Sequence, residues 1–193
     1  TGINCLSMSI ILSECLLASG IYARVVYMMP KAADDGDNHV VAEAFIAKWN
    51  KWIMLDPTYG SYCCDSSGEV LNLYEIRKRI INDEEYFFSD KLNYNGETVS
   101  DLADLKEYYA KNLFFLRSKA RQEYGMHREY GDMVEMAPIN FDVHERMLLN
   151  LQYRIHEYGE CDLFTDWMSY ESQLDNRYVD IESFYEPPCD REN

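Results

Sequence analysis

The first sixty residues carry the clearest pattern of hydrophobic and polar positions in the chain. From the N-cap residue Asn4 to Gly20, apolar residues such as Leu6 and Leu17 recur at helical spacing, which predicts an opening helix. Segments rich in β-branched and aromatic residues then predict three strands, at residues 23–29, 39–47 and 51–55. This unit is therefore expected to be a helix followed by an antiparallel sheet.

The remaining residues show weaker periodicity. Helices are predicted at residues 73–81, from a cap at Ser100 through 116, and at 143–158, with strands at 133–137 and 178–185 and irregular chain over 83–98. The sequence contains no repeat, low-complexity tract or flexible linker. We therefore expect one α+β domain, in which residues 1–60 form the core and residues 61–193 continue it with appended helices and strands.

The net charge of −16 argues against a nucleic-acid partner, because nucleic-acid binding proteins need basic surfaces to contact phosphates. Residues 1–60 hold four basic and six acidic residues, which leaves fourteen basic and twenty-eight acidic residues in the rest. This acidic part is either an ordinary solvated surface or one that attracts cationic substrates such as lysine-rich peptides. No run of eighteen apolar residues occurs, so no membrane span is expected. The pattern does not indicate an oligomeric state.

Six cysteines lie at positions 5, 15, 63, 64, 161 and 189, and none forms a CxxC pair. Apart from the loose run His144, His156 and Cys161, neither they nor the four histidines follow metal-ligand spacing, so we expect no metal site. Free thiols favour a reducing compartment such as the cytoplasm. The sequence begins at Thr1, not at Met, which predicts that an upstream segment, and any targeting signal in it, is missing.

Cys5 is the first candidate for chemistry, because it follows the capping Asn4 at the first turn of the predicted helix. Unpaired N–H groups and the helix dipole at this position stabilise a thiolate and lower the thiol pKa. The Cys5 N–H can also donate to an oxyanion. Taken alone, Cys5 has a simpler interpretation as a buried structural cysteine.

His39 opens the second predicted strand, and Asp56 closes the third just before Pro57. If Trp49 and Asn50 centre the hairpin turn, Asp56 pairs opposite Glu43, on the same face as His39. That register leaves His39 and Asp56 about 13 Å apart, so a bulge or an asymmetric turn must close the gap. Alone, His39 could be a structural histidine and Asp56 a strand terminator.

Together, Cys5, His39 and Asp56 supply a nucleophile, a base and a group that orients the base. The sequence around them resembles the transglutaminase-like superfamily, including bacterial transglutaminase-like domain proteins. Three segments carry the resemblance: Asn4-Cys5 with the later run Gly20-Ile21-Tyr22-Ala23-Arg24, the strand His39-Val40-Val41-Ala42-Glu43, and Trp52-Ile53-Met54-Leu55-Asp56-Pro57-Thr58.

The resemblance covers residues 1–60, extends more loosely over 61–116, and implies a papain-like fold. It also implies cofactor-free acyl transfer through a thioester, in which a peptidase- or amidase-like hydrolysis is favoured over cross-linking to an amine. A protein or peptide is the expected substrate. Gly2 stands three residues before Cys5, where the family often has a glycine two before, and the segment that commonly supplies a second oxyanion donor is absent. The alternative hypothesis is a non-catalytic protein- or glycan-binding module on a retained scaffold.

Overall fold

The computed structural model of the protein describes residues 3–89, 92–94, 96–120, 133–159 and 177–188. Its helices are α1 (Cys5–Ala18), α2 (Leu73–Ile81), α3 (Leu102–Asn112), α4 (Val143–Tyr158) and α5 (Ile181–Phe184). Its strands are β1 (Ala23–Met29), β2 (His39–Ile46), β3 (Lys51–Leu55), β4 (Cys63–Cys64), β5 (Phe87–Phe88), β6 (Asn93–Tyr94), β7 (Glu97–Thr98), β8 (Phe115–Lys119), β9 (Met133–Met136) and β10 (Arg177–Tyr178).

Six of these strands form one sheet in the order β10-β9-β8-β1-β2-β3. Every neighbouring pair is antiparallel except β9 and β10, which run parallel. The mixture of helices with a mainly antiparallel sheet confirms the α+β class. None of the helices in the described residues is long and apolar enough to cross a membrane.

Side-chain caps start two of the helices, and the one at Asn4 is the cap that the sequence predicts. Asn4 accepts a hydrogen bond from the Ser7 N–H at 2.9 Å and starts α1. Asn72 and Glu75 form a reciprocal capping box at the start of α2. Helix α1 is followed by Gly20 with a φ of 77°, a left-handed conformation that favours glycine. Local chemistry therefore fixes where the helix before the sheet begins and ends.

Helix α1 packs on β1 and β2 through small polar residues and not through its leucines. Ser9 and Ser13 are its buried residues, whereas Leu6 and Leu17, which define the predicted apolar stripe, are only half-buried. The Ser9 hydroxyl donates to the Val40 carbonyl at 2.9 Å. Small residues on this face let the helix approach the sheet closely, which brings the first turn of α1 next to the start of β2.

The helix predicted from Ser100 through residue 116 is shorter than expected. Asp101, not Ser100, is its cap and accepts from two N–H groups, and α3 ends at Asn112. Residues 115 and 116 instead begin β8, a strand that the pattern did not predict. Its first four residues are buried, so the strand lacks the polar alternation that marks a half-exposed one.

The strand predicted over residues 178–185 is also wrong. Only Arg177–Tyr178 pairs in the sheet, and Asp180 then caps the short helix α5 through the Ser183 N–H. The segment 83–98, predicted to be irregular, contains the two-residue strands β5, β6 and β7 in its described part. Strands this short lack enough positions for a periodic pattern to emerge.

The hydrophobic core combines residues from both parts of the chain. Its buried members from the first sixty residues are Val26, Met28, Val41 and Met54, and later members include Leu73, Ile76, Tyr109, Leu116 and Phe184. The described part of the later chain therefore packs on the sheet of the first sixty residues.

A buried ion pair fixes the end of the described chain to the sheet. Arg24 on β1 and Glu43 on β2 are cross-strand neighbours whose side chains approach to 2.7 Å. Glu43 also accepts from the Leu73 N–H at 3.1 Å and the Tyr185 hydroxyl at 3.2 Å, while Arg24 donates to the Phe184 carbonyl at 2.6 Å. Residues from β1, from the start of α2 and from the end of α5 therefore meet at the fully buried carboxylate of Glu43.

Glu43→Ala is expected to destabilise the protein by about 3–5 kcal/mol, because it leaves the Arg24 charge buried without its partner. Urea unfolding followed by circular dichroism measures this loss. The control is Glu69→Ala, which removes an exposed partner of Lys51 and should cost only about 0–1 kcal/mol. Equal losses for the two variants would show that the Arg24–Glu43 pair does not hold the fold together.

Candidate active site

The structure brings Cys5, His39 and Asp56 together, although three different elements carry them. Cys5 is the first residue of α1 and is half-buried, whereas His39 and Asp56 are 2% and 1% exposed. His39 opens β2, and Asp56 follows the last residue of β3. The His39 Nε2 and the Asp56 Oδ2 are 2.6 Å apart.

The register between β2 and β3 differs from the predicted one and explains this contact. Ile46 pairs with Lys51 across a four-residue connection made of a 3₁₀ turn and Asn50, whose φ is 48°. Glu43 consequently lies opposite Met54, so that Asp56 falls two residues further along and closer to His39. This longer connection is the asymmetric turn that the assumed two-residue register needed to close the gap of about 13 Å between His39 and Asp56.

The contact with Asp56 fixes which nitrogen of His39 carries a proton. A carboxylate can only accept hydrogen bonds, so Nε2 must donate and Nδ1 is left for another partner. Cys5 is hydrogen-bonded to the same ring. Burial favours the neutral imidazole, but the charge and hydrogen bond of Asp56, together with Cys5, raise the pKa of His39 to about 9.

The environment of Cys5 favours the thiolate. Partial burial opposes the charge, but the hydrogen bond and charge of His39 outweigh it and lower the thiol pKa from its usual value of 9.0. The backbone N–H groups of Val40 and Leu6 also stabilise the thiolate. The first helical turn and the start of β2 thus contribute directly, which agrees with the effect expected of a helix N-terminus.

Asp56 is held in place by donors on both of its oxygens. Its Oδ1 accepts from the N–H groups of Thr58 at 2.9 Å and Tyr59 at 3.3 Å, within the tight loop that follows β3. Its Oδ2 accepts from Tyr109 at 2.5 Å in addition to His39. Tyr109 lies on α3 and is fully buried. The carboxylate that orients His39 therefore depends on a residue from the later part of the chain.

Two other tyrosines enclose the imidazole. The rings of Tyr59 and Tyr108 meet the His39 ring edge-on, with centroids 5.7 and 5.4 Å away. Burial, followed by the charge of Asp56, raises the pKa of Tyr59 to about 12, and Cys5 contributes to that shift. These phenols therefore stay protonated near neutral pH and shield the His39–Asp56 contact from water.

Four cysteines of the described residues are free, and they differ sharply from one another. Cys15 is exposed at the far end of α1, and Cys64 is half-buried. Burial raises the pKa of the Cys63 thiol, which makes that thiol unreactive. Cys161 and Cys189 lie outside the described residues. Within the described part of the chain, no group of histidine, cysteine and acidic side chains could hold a metal ion.

Sequence reasoning missed Ser9, Tyr108 and Tyr109 as parts of this site. Ser9 stands four residues after Cys5, so both share one face of α1. A serine at this position in an otherwise apolar helix is the sequence signal that could have identified it. Tyr109 is part of an apolar stripe and had no distinguishing signal. Other aromatic residues near the sheet have different environments: Tyr59 contacts His39, Trp52 is buried beside Arg24, and Trp49 and Tyr62 are exposed.

Comparison with known proteins does not assign this arrangement to a family. A scan of the chain against models of protein families, a search of curated proteins and a search of solved structures each found no match.

Tyr109→Phe is expected to cost about 1–3 kcal/mol of stability, because the buried Asp56 carboxylate loses one hydroxyl donor while the ring is kept. Urea unfolding measures the loss. The matched control is Tyr86→Phe, since the buried Tyr86 hydroxyl has no hydrogen-bond partner among the described residues and its removal should be neutral or stabilising. A loss for Tyr86→Phe as large as that for Tyr109→Phe would contradict the role given to the Tyr109 hydroxyl.

Proposed function

We propose that the protein is a cysteine-dependent acyl-transfer enzyme that acts on an amide or peptide bond. The observation that carries this proposal is the continuous contact from the Cys5 thiol through His39 to the buried Asp56. A structural cysteine needs neither a lowered pKa nor an imidazole oriented by a carboxylate. Activated-thiol catalysis needs both.

We further propose that the fold is the papain-like core of the transglutaminase-like superfamily. Supporting this, α1 carries the thiol and packs on β2, which carries His39, and β3, antiparallel to β2, leads into Asp56. Two of the segments that resemble the superfamily also meet in the structure, because Arg24 from one and Glu43 from the other form the buried ion pair.

In the first chemical step, the Cys5 thiolate attacks the carbonyl carbon of the substrate. A C–S bond forms, and the carbonyl electron pair moves to the oxygen. The Cys5 N–H at the first turn of α1 has no acceptor inside the helix and can donate to this oxyanion. The His39 imidazolium then gives its Nδ1 proton to the leaving nitrogen as the C–N bond breaks, which leaves a thioester on Cys5.

In the second step, neutral His39 takes a proton from water or from an amine that attacks the thioester. The C–S bond breaks and Cys5 leaves as the thiolate, which restores the ion pair. Asp56 keeps Nδ1 directed at the thiol throughout and stabilises the imidazolium without itself exchanging a proton. Water gives hydrolysis, which we favour, and an amine gives cross-linking.

The test uses p-nitrophenyl acetate as a small acyl donor with a coloured leaving group. We expect a burst of nitrophenolate and an acetyl group on the peptide that carries Cys5, detected by mass spectrometry after acid quenching. A lysine-like amine such as cadaverine, added in a second reaction, distinguishes transfer from hydrolysis through the acetylated amine.

The variants should rank by their part in the chemistry. Cys5→Ala should abolish acetylation, and His39→Ala should reduce it nearly as much. Asp56→Asn should reduce it less, because Asp56 orients the ring without taking part in bond changes. Cys63→Ala and Cys64→Ala are the controls and should retain the burst, as should Cys161→Ala and Cys189→Ala. Acetylation that persists in Cys5→Ala, or never occurs on Cys5, would favour a binding module over an enzyme.

A further inference from the structure

A groove of about 500 Å³ opens beside the proposed catalytic residues. Two of the residues that line it, Tyr59 and Tyr108, are the same tyrosines whose rings flank His39. A group bound in the groove therefore contacts the same two rings that pack against the imidazole. Three other depressions among the described residues are lined by neither of these tyrosines.

Aromatic rings form one side of the groove. Tyr94 packs against Tyr59 with ring centroids 5.4 Å apart, and 48% of its surface is exposed. Together with Tyr108 these residues form an aromatic wall, which we define as Tyr59, Tyr94 and Tyr108. Aromatic faces attract cations, most strongly when the cation sheds part of its water.

Another part of the groove lining carries carboxylates. Glu97 is the cross-strand neighbour of Tyr94 in the β6–β7 hairpin, and Asp101 and Asp104 lie at the start of α3. None of the described residues that line the groove is basic, although the Lys111 Nζ from the end of α3 lies 5.4 Å from the centroid of the Tyr108 ring. A helix N-terminus could instead favour an anion, but the Asp101 side chain already accepts from the N–H groups of Ala103 and Asp104. The lining therefore favours a cation.

We propose that this groove is the substrate subsite of the enzyme and that it binds a cationic side chain of the acyl donor, next to the bond that Cys5 attacks. The proposal rests on the proposed function, since it needs Cys5 as the nucleophile. A lysine, arginine or quaternary ammonium group would place its charge against the aromatic wall and the carboxylates of Glu97 and Asp104. Two acidic residues of the later chain, Glu97 and Asp104, then have a specific role in binding the substrate.

The experiment compares how fast Cys5 reacts with three methanethiosulfonates that transfer a cationic, a neutral or an anionic group. The cationic reagent carries a trimethylammonium-ethyl group, the neutral one a methyl group and the anionic one a sulfonatoethyl group. In each case the thiolate attacks the sulfenyl sulfur, a disulfide forms, and methanesulfinate leaves. Rates are measured at pH 6 and 0.15 M salt by mass spectrometry of the Cys5 peptide after acid quenching.

The ratio of the cationic to the neutral rate is the informative quantity. Both reagents meet the same thiolate, so a change in thiol pKa cancels in the ratio. We expect the ratio in the protein to exceed that of an unstructured cysteine peptide. Tyr94→Ala and the double variant Glu97→Gln/Asp104→Asn should each lower it by roughly three- to tenfold.

Matched controls distinguish an effect of the groove on this ratio from the effect of changing the net charge and from the effect of removing a tyrosine elsewhere. Glu182→Gln removes an exposed acidic residue from α5, a helix that contributes no residue to the groove, and Tyr62→Ala removes an exposed tyrosine outside it. At 0.15 M salt, charges more than about 8 Å away are largely screened. Both controls should keep the wild-type ratio.

Three outcomes would overturn the proposal. A ratio that is unchanged in the groove variants, or lowered as much by the controls, would show that the groove does not select the cation. A faster reaction with the anionic reagent would reverse the assigned ligand class. A neutral reagent that labels Cys5 no faster than the peptide at pH 6 would overturn the proposed function itself, and with it the subsite. The neutral rate therefore tells the two failures apart.

Discussion

The buried carboxylate of Asp56 is the constraint on which the rest of the site depends. A carboxylate removed from water is unfavourable by several kcal/mol unless donors and a counter-charge surround it. Here the loop after β3 supplies two N–H donors, α3 supplies the Tyr109 hydroxyl, and β2 supplies His39. The need to satisfy one charge therefore fixes the position of His39, and His39 in turn stabilises the thiolate of Cys5.

The same principle operates a second time at Glu43. This residue follows His39 by four positions on β2, and its buried carboxylate gathers Arg24, the start of α2 and Tyr185. The two carboxylates connect the sheet to different parts of the later chain, Asp56 through α3 and Glu43 through α2 and α5. The described part of the later chain therefore contributes to the candidate site, because the carboxylate of Asp56 accepts a hydrogen bond from Tyr109.

Much of this arrangement could be predicted from the sequence, because local signals specify it. Asn4 and the Asn72 capping box mark helix starts, and strong β patterns gave the first three strands close to their observed limits. The register of β3 could not be predicted, since it depends on a 3₁₀ turn ending in a left-handed asparagine. Tyr109 could not be identified either, because a buried tyrosine on an apolar stripe looks the same whether or not its hydroxyl binds a carboxylate. Strand β8 was missed because burial on both faces removes the alternation that identifies a strand.

The proposed chemistry depends on Cys5 existing as a thiolate that is paired with a protonated His39. The most direct measurement is the absorbance of the thiolate at 240 nm, taken as the difference between the wild type and Cys5→Ser from pH 4 to pH 10. Because His39 lowers the Cys5 pKa while its own pKa rises to about 9, the thiolate should form with a midpoint below pH 9 and persist above it. His39→Ala should move the midpoint upward. A wild-type midpoint at or above pH 9, or one that His39→Ala leaves in place, would contradict the account.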